Sequence, residues 1–156
     1  MITAQQGHLT VVPPPDRATS AEQAVCTLPV TPAAAPALRH FATTSARGWG
    51  LGDDVRDALA LVVTELVANV VLHSGSADVT LRLHLLPTQR SVRVEVRDAG
   101  HWHPRPARPD PAAPLDADEG CAERGRGLAI VEAFALRTAV RLTPDGTTVR
   151  ADLPLG

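Results

Sequence analysis

The sequence predicts an α+β fold: a two-layer sandwich whose mixed, mostly antiparallel sheet is covered on one face by helices. Three observations predict it. The chain has 156 residues with 44% hydrophobic content, the length and apolar share of one ordinary domain with its own core. Two segments, DVTLRLHLL (78–86) and SVRVEVRD (91–98), alternate apolar with polar residues, which marks strands with one covered and one solvated face. Paired strands alternate with blocks of helical period in the order strand, helix, helix, strand, strand, loop, helix, strand, strand. That order segregates helices from strands and does not suit a doubly wound sheet.

Residues 1–23 are polar and broken by Pro13-Pro14-Pro15. They read as a flexible N-terminal arm, with a short strand at His8–Val12, ahead of a folded domain at 24–156. AVCTLPV (24–30) is a strand, placed at an edge because Pro29 lacks a backbone donor. Pro36–Arg47 is a helix, with Leu38, Phe41, Ala42 and Ser45 at helical spacing and Gly48 and Gly50 ending it; Trp49 is a core anchor. Asp53 caps a second helix that runs to His73, where Gly75 supplies the stop. Its apolar positions Leu59, Val62, Val63, Leu66, Val67 and Val70 cover more than one face, so it is largely buried. Pro87–Arg90 turns between the two alternating strands.

Residues 101–124 carry Pro104, Pro106, Pro109, Pro111 and Pro114, which preclude regular structure. A loop of that length inside a small domain is a functional candidate. Gly127–Leu136 is a helix. Thr138–Thr143 and Thr147–Leu153 form a hairpin through Pro144-Asp145-Gly146.

Composition removes several classes of function. The net charge is −2 and the arginines are spread along the chain, which argues against a nucleic-acid binder with a basic stripe. All 15 basic residues are Arg, so P-loop and Schiff-base chemistry, which need Lys, are excluded. Cys26 and Cys121 match no zinc or redox spacing. No stretch has the make-up of a signal peptide or a membrane span. The expectation is a soluble, cytoplasmic protein.

Three stretches carry chemistry. In TELVANVVLHSG (64–75), Glu65 and Asn69 are four residues apart, about 40° around a helix axis and ~6 Å along it. They share a face with Leu72 and His73. A carboxylate can take a proton or orient a hydroxyl, and an amide oxygen suits Mg²⁺. The bland alternative is a solvated polar stripe. In VRVEVRDAG (92–100), a strand ends at Asp98, which can accept a hydrogen bond from an exocyclic amine. Gly100 lets backbone approach a flat ring, although Asp-x-Gly is also ordinary turn chemistry. In ERGRGLAIVEAF (123–134), Gly125 and Gly127 stand at the mouth of a helix. Free N–H groups there bind phosphate, and Arg124 and Arg126 add positive charge.

The order of these stretches resembles the GHKL (Bergerat-fold) ATPases. The phrases LVVTELVANVVLHSG, VRVEVRDAG and GRGLAIVEAFA resemble the small anti-sigma-factor serine/threonine kinases of bacterial partner switching. The likeness covers roughly residues 24–154. The Ala, Arg and Pro bias suits an actinobacterial source.

The resemblance implies a Bergerat fold that binds Mg²⁺ and ATP. Glu65 would be the catalytic base and Asn69 the Mg²⁺ ligand. His73 would lie near phosphate or lid, Asp98 would take the adenine amine, and Gly100 would pass under the base. Residues 101–124 would form the ATP lid. Arg124, Gly125, Arg126, Gly127 and Leu128 would cradle phosphates, and Thr148 would stand near adenine. The implied activity is phosphorylation of a small anti-sigma-factor antagonist, coupled to sequestration of a sigma factor. Homodimers are usual among the sigma-binding relatives. The alternative is a non-catalytic protein-binding module that holds ATP as a structural ligand. The chain departs from the family in its proline-rich lid and in an arm without a counterpart.

Overall fold

The computed structural model describes residues 22–101 and 119–156, with side chains from 127 onward in the second span. The expectations for the arm up to residue 21 and for the lid at 102–118 lie outside the described residues. The elements run β1 (Gln23–Pro29), α1 (Ala34–Gly48), α2 (Asp53–His73), β2 (Asp78–Leu86), β3 (Ser91–Asp98), α3 (Glu119–Phe134), β4 (Arg137–Thr143) and β5 (Gly146–Pro154). The predicted order holds throughout. The sheet order is β1-β2-β3-β5-β4, and all four pairings are antiparallel, so the mostly antiparallel sheet expected from the sequence is antiparallel at every described pair. Chain reversals at Pro87–Arg90 and Pro144–Asp145 form the β2–β3 and β4–β5 pairs, and α3 carries the chain from β3 to β4, which runs parallel to β3 with β5 between them.

The helices lie on one face of the sheet. Val79, Leu81 and Leu83 of β2, Val92, Val94 and Val96 of β3, and Val149, Ala151 and Leu153 of β5 are buried beneath them. Leu59, Val62, Val63, Leu66, Val67 and Val70 of α2 are all buried, each contributing roughly 1.5–3 kcal/mol by leaving water. In α1, Ala34, Leu38, Ala42 and Ala46 repeat every fourth residue and are buried. Three of these four are alanines, so α1 can approach α2 closely. Trp49 is half-buried against the same core.

Two local expectations need correction. Gly52, in extended conformation, is the N-cap of α2, without a side-chain cap bond. Asp53 is instead the first helical residue, where its charge favours the helix dipole and pairs with Arg56. The other correction concerns α3, which begins at Glu119, eight residues before the predicted start. Beyond Pro114 no proline interrupts the chain until Pro144, and Ala122, Glu123 and Arg124 are good helix formers. Gly125 and Gly127 are therefore inside the helix and not at its mouth.

On the outer face, Arg93 grips Asp152 through two bonds, Nε to Oδ1 at 2.7 Å and Nη2 to Oδ2 at 3.0 Å. These bonds hold the Asp152 carboxyl below the usual carboxylate range, against an opposing push from burial. A depressed folded value contributes stability that is complete above the unfolded value of about 3.9 and is lost as pH falls through the folded one. The stability gap between wild type and Asp152→Asn is therefore expected to stay constant from neutrality down to about pH 5 and then to close with further acid. Urea unfolding at several pH values measures it; a gap that widens in acid would contradict the assignment.

Candidate functional site

The site forms where the C-terminal half of α2, the end of β3 and the middle of α3 meet. Glu65 is half-buried and Asn69 is buried at 8% exposure. Both belong to the same stripe of α2, one turn apart. Gly127 of α3 packs onto them. A Cβ added there would lie 2.8 Å from Glu65 Oε2 and 3.8 Å from both Asn69 Oδ1 and Nδ2. The two helices cross at that glycine because only hydrogen stands between the α3 backbone and the carboxylate. His73 is the last residue of α2, half-buried one turn beyond Asn69.

The second part of the site is a braced turn. Asp98 is 3% exposed at the end of β3, and its Oδ1 accepts the Gly100 N–H at 2.7 Å. Thr147 Oγ1 donates to the Gly100 carbonyl at 3.1 Å. The Ala99 N–H donates to Ser76 Oγ at 3.0 Å, and that hydroxyl donates to the Asp78 carbonyl at 2.7 Å. Gly100 is pressed against the loop after α2: a Cβ would meet the Ser74 carbonyl oxygen at 2.0 Å. Gly146, at φ +141°, likewise stands with its would-be Cβ 1.9 Å from the Asp98 carbonyl oxygen. Two glycines thus let backbone close on both flanks of Asp98.

The structure therefore brings Glu65, Asn69 and Gly127 together, and it braces Asp98 and Gly100 on the same helix-covered face of the sheet. It separates Thr148 from them. Thr148 pairs with Arg97 and Arg141, and it lines a shallow depression of about 350 Å³ on the outer face with Arg82, Glu95 and Arg150. Thr147, and not Thr148, is the hydroxyl paired with Asp98. Alternation along a strand means that a register misjudged by one residue exchanges the faces. The sequence reasoning also missed Ser74, Ser76 and Gly146. Ser74-Gly75-Ser76 is a turn-type cluster, and that composition was the available signal.

The structure places the residues of the expected phosphate nest inside α3. The N–H groups of Gly125–Leu128 belong to the interior of α3, and Leu128 is 5% exposed in the core, a packing residue. The side chains of Arg124 and Arg126 lie outside the described residues. Among the described residues no three His, Cys, Asp or Glu side chains cluster as a metal site. The Asn69 amide oxygen fits a Mg²⁺ ion whose other ligands are phosphate oxygens and water. No described helix is long and apolar enough to cross a membrane.

The family model described as the histidine kinase-like ATPase domain matches residues 28–153. No curated protein matches the chain. Among solved structures, the chain is similar to the RsbU and RsbW domains of Rv1364c from Mycobacterium tuberculosis, at 20% identity and TM-score 0.64, over 85% of this chain and 32% of that one. It also aligns with the histidine kinase domain of the blue-light activated kinase of Erythrobacter litoralis EL346, at 21% identity and TM-score 0.47, over 82% of this chain and 62% of that one. The chain spans about a third of the first chain and under two thirds of the second. The first likeness shows a shared fold.

Proposed function

We propose a function from one premise: the chain belongs to the histidine kinase-like ATPase domain family. On that premise it is a cytoplasmic serine/threonine protein kinase of partner-switching type. It binds Mg-ATP, phosphorylates a small anti-sigma-factor antagonist and sequesters a sigma factor. The observation that carries this reading is the meeting of Glu65, Asn69 and Gly127 across the α2–α3 crossing. A carboxylate and an amide oxygen there face the glycine-rich segment that would receive phosphate.

Mg-ATP, when bound, supplies the transferable phosphoryl group and a counter-charge for it. The chain's residues do the rest. Asp98, held by its bond to the Gly100 N–H, presents an acceptor to the adenine amine. Asn69 offers its oxygen to the metal. Glu65 accepts the proton of the antagonist's hydroxyl as that oxygen bonds to the γ-phosphorus and the bridging oxygen leaves with ADP. Positioning and charge neutralisation supply most of such a reaction. The reading also requires the first turns of α3 to open on binding, so that N–H groups at Arg124–Leu128 can turn to phosphate. Gly120, Gly125 and Gly127 each weaken the helix by about 1 kcal/mol relative to alanine, which offsets part of the cost of opening it.

Three measurements test this. Calorimetry should give binding of Mg-ATP by the wild type and none by Asp98→Ala. Intact-mass analysis should show phosphate added to the cognate antagonist. Glu65→Gln should keep nucleotide affinity and lower transfer by about 10²–10⁴-fold. Nucleotide binding without transfer to any antagonist, with Glu65→Gln indistinguishable from wild type in partner affinity, would favour the non-catalytic binding module.

A further inference from the structure

The outer face of the sheet and its β4 edge show a pattern that the nucleotide site does not use. Residues paired across antiparallel strands share a face. The pairings set Arg82, Glu95 and Arg150 in one row, and Arg93, Asp152 and Arg137 in the next. Each row is arginine, acid, arginine. Arg150 bonds Glu95 through Nε at 2.9 Å, as Arg93 bonds Asp152. The third row is Arg97, Thr148, Arg141. A threonine stands where the other rows hold a carboxylate, and no ion pair forms at Arg97 or Arg141 among the described residues.

Among the described residues β4 is the last strand of the sheet. Arg137 and Arg141 project on its outer side. Its helix side carries Val140, opposite the buried Val149, and Leu142, opposite Thr147. Leu136 precedes the strand and is tied to β5 by its N–H bond to the Asp152 carbonyl at 2.7 Å. These three side chains remain 60%, 42% and 49% exposed for Leu136, Val140 and Leu142. An edge unpaired among the described residues, basic on one side and apolar on the other, is unusual, because exposed edges with apolar rows invite pairing.

We propose that β4 is a docking edge for an extended segment of a partner protein in which acidic and apolar residues alternate. Such a segment adds as a sixth strand about 4.8 Å from β4. Its acidic side chains meet Arg137 and Arg141, and so lie four positions apart. Its alternate positions, on the other face and extending one residue beyond each acid, cover Leu136, Val140 and Leu142. Main-chain bonds give the affinity and the alternation gives the register.

Charge selects this occupant over two others. A second copy of β4, paired antiparallel about Ala139, would set Arg137 directly opposite the other copy's Arg141. Moving the centre by one residue leaves arginines diagonal to each other, so repulsion persists. A nucleic acid would satisfy the arginines but not the apolar row. The outer-face positions of the five strands also contain no Phe or Trp on which bases could stack.

The test uses the full chain and a fluorescent peptide of alternating glutamate and valine. Wild type should bind the peptide, and hydrogen exchange should slow across Arg137–Thr143. Arg137→Glu with Arg141→Glu should weaken binding at least about tenfold and should prefer a lysine–valine peptide. Arg141→Gln and Leu142→Ser, milder changes at exposed positions, should each weaken binding while leaving thermal unfolding unchanged. Equal binding of a backbone N-methylated peptide would overturn strand addition. So would undiminished binding by the double variant, tighter binding of an oligonucleotide of equal charge, or concentration-dependent self-association that the double variant abolishes. ATP titration of the same variants should be unaffected, so this outcome is separable from the fate of the kinase reading.

Discussion

Gly100→Ala is expected to lose about 3 kcal/mol of stability, the upper end of ordinary overpacking. The added methyl would sit 2.0 Å from the Ser74 carbonyl oxygen and 2.7 Å from its carbon. Those atoms are backbone, so no rotamer change relieves the clash. The loop after α2 must move away from the end of β3. That movement strains the Ala99 N–H bond to Ser76 and the Thr147 bond to the Gly100 carbonyl. For a chain of this size, 3 kcal/mol corresponds to a fall in Tm of roughly 6–12 °C. Gly48→Ala is the control, because its new Cβ would meet nothing within 4 Å and its effect should be small and stabilising. Thermal melts of the two variants beside wild type decide the matter. Equal melting temperatures for Gly100→Ala and wild type would mean that the turn is not braced as described.

Gly127→Ala is expected to divide activity from stability. The nearest atom to the new methyl is Glu65 Oε2 at 2.8 Å, the far end of a flexible side chain. The carboxylate can swing aside, and alanine favours the helix over glycine by about 1 kcal/mol. The melting temperature should hold or rise slightly. Phosphate transfer should drop, because a catalytic group misplaced by about 1 Å can cost about 10²-fold. Single-turnover transfer and ATP affinity, measured on one preparation, separate the two effects. A stable variant with full transfer would remove Glu65 from the role of base. The larger Gly127→Val would force the helices apart and should lose stability as well.

Element order was legible because helical and strand periods are local properties of a sequence. The placement of Glu65 and Asn69 on one face followed from helix geometry alone, and so did the burial of α2. The Asp98 turn was visible in three consecutive letters. The beginning of α3 was not, because the predicted start relied on glycines as boundary signals. In the fold, helix-forming neighbours and the packing of Gly127 against α2 carry the helix through them.

By itself the sequence determined the α+β layering, the polar stripe of α2 and the acidic turn after β3, all of which rest on contacts within about one element. Only the tertiary structure set Thr147 rather than Thr148 beside Asp98, pressed Gly127 onto Glu65, and gathered Arg82, Arg93, Arg97, Arg137, Arg141 and Arg150 onto one face. Each of these depends on the register between strands far apart in the chain. The physical reason is that register is set by which side chains the core accepts, and a shift of one residue exchanges the faces of a strand while leaving its local pattern unchanged.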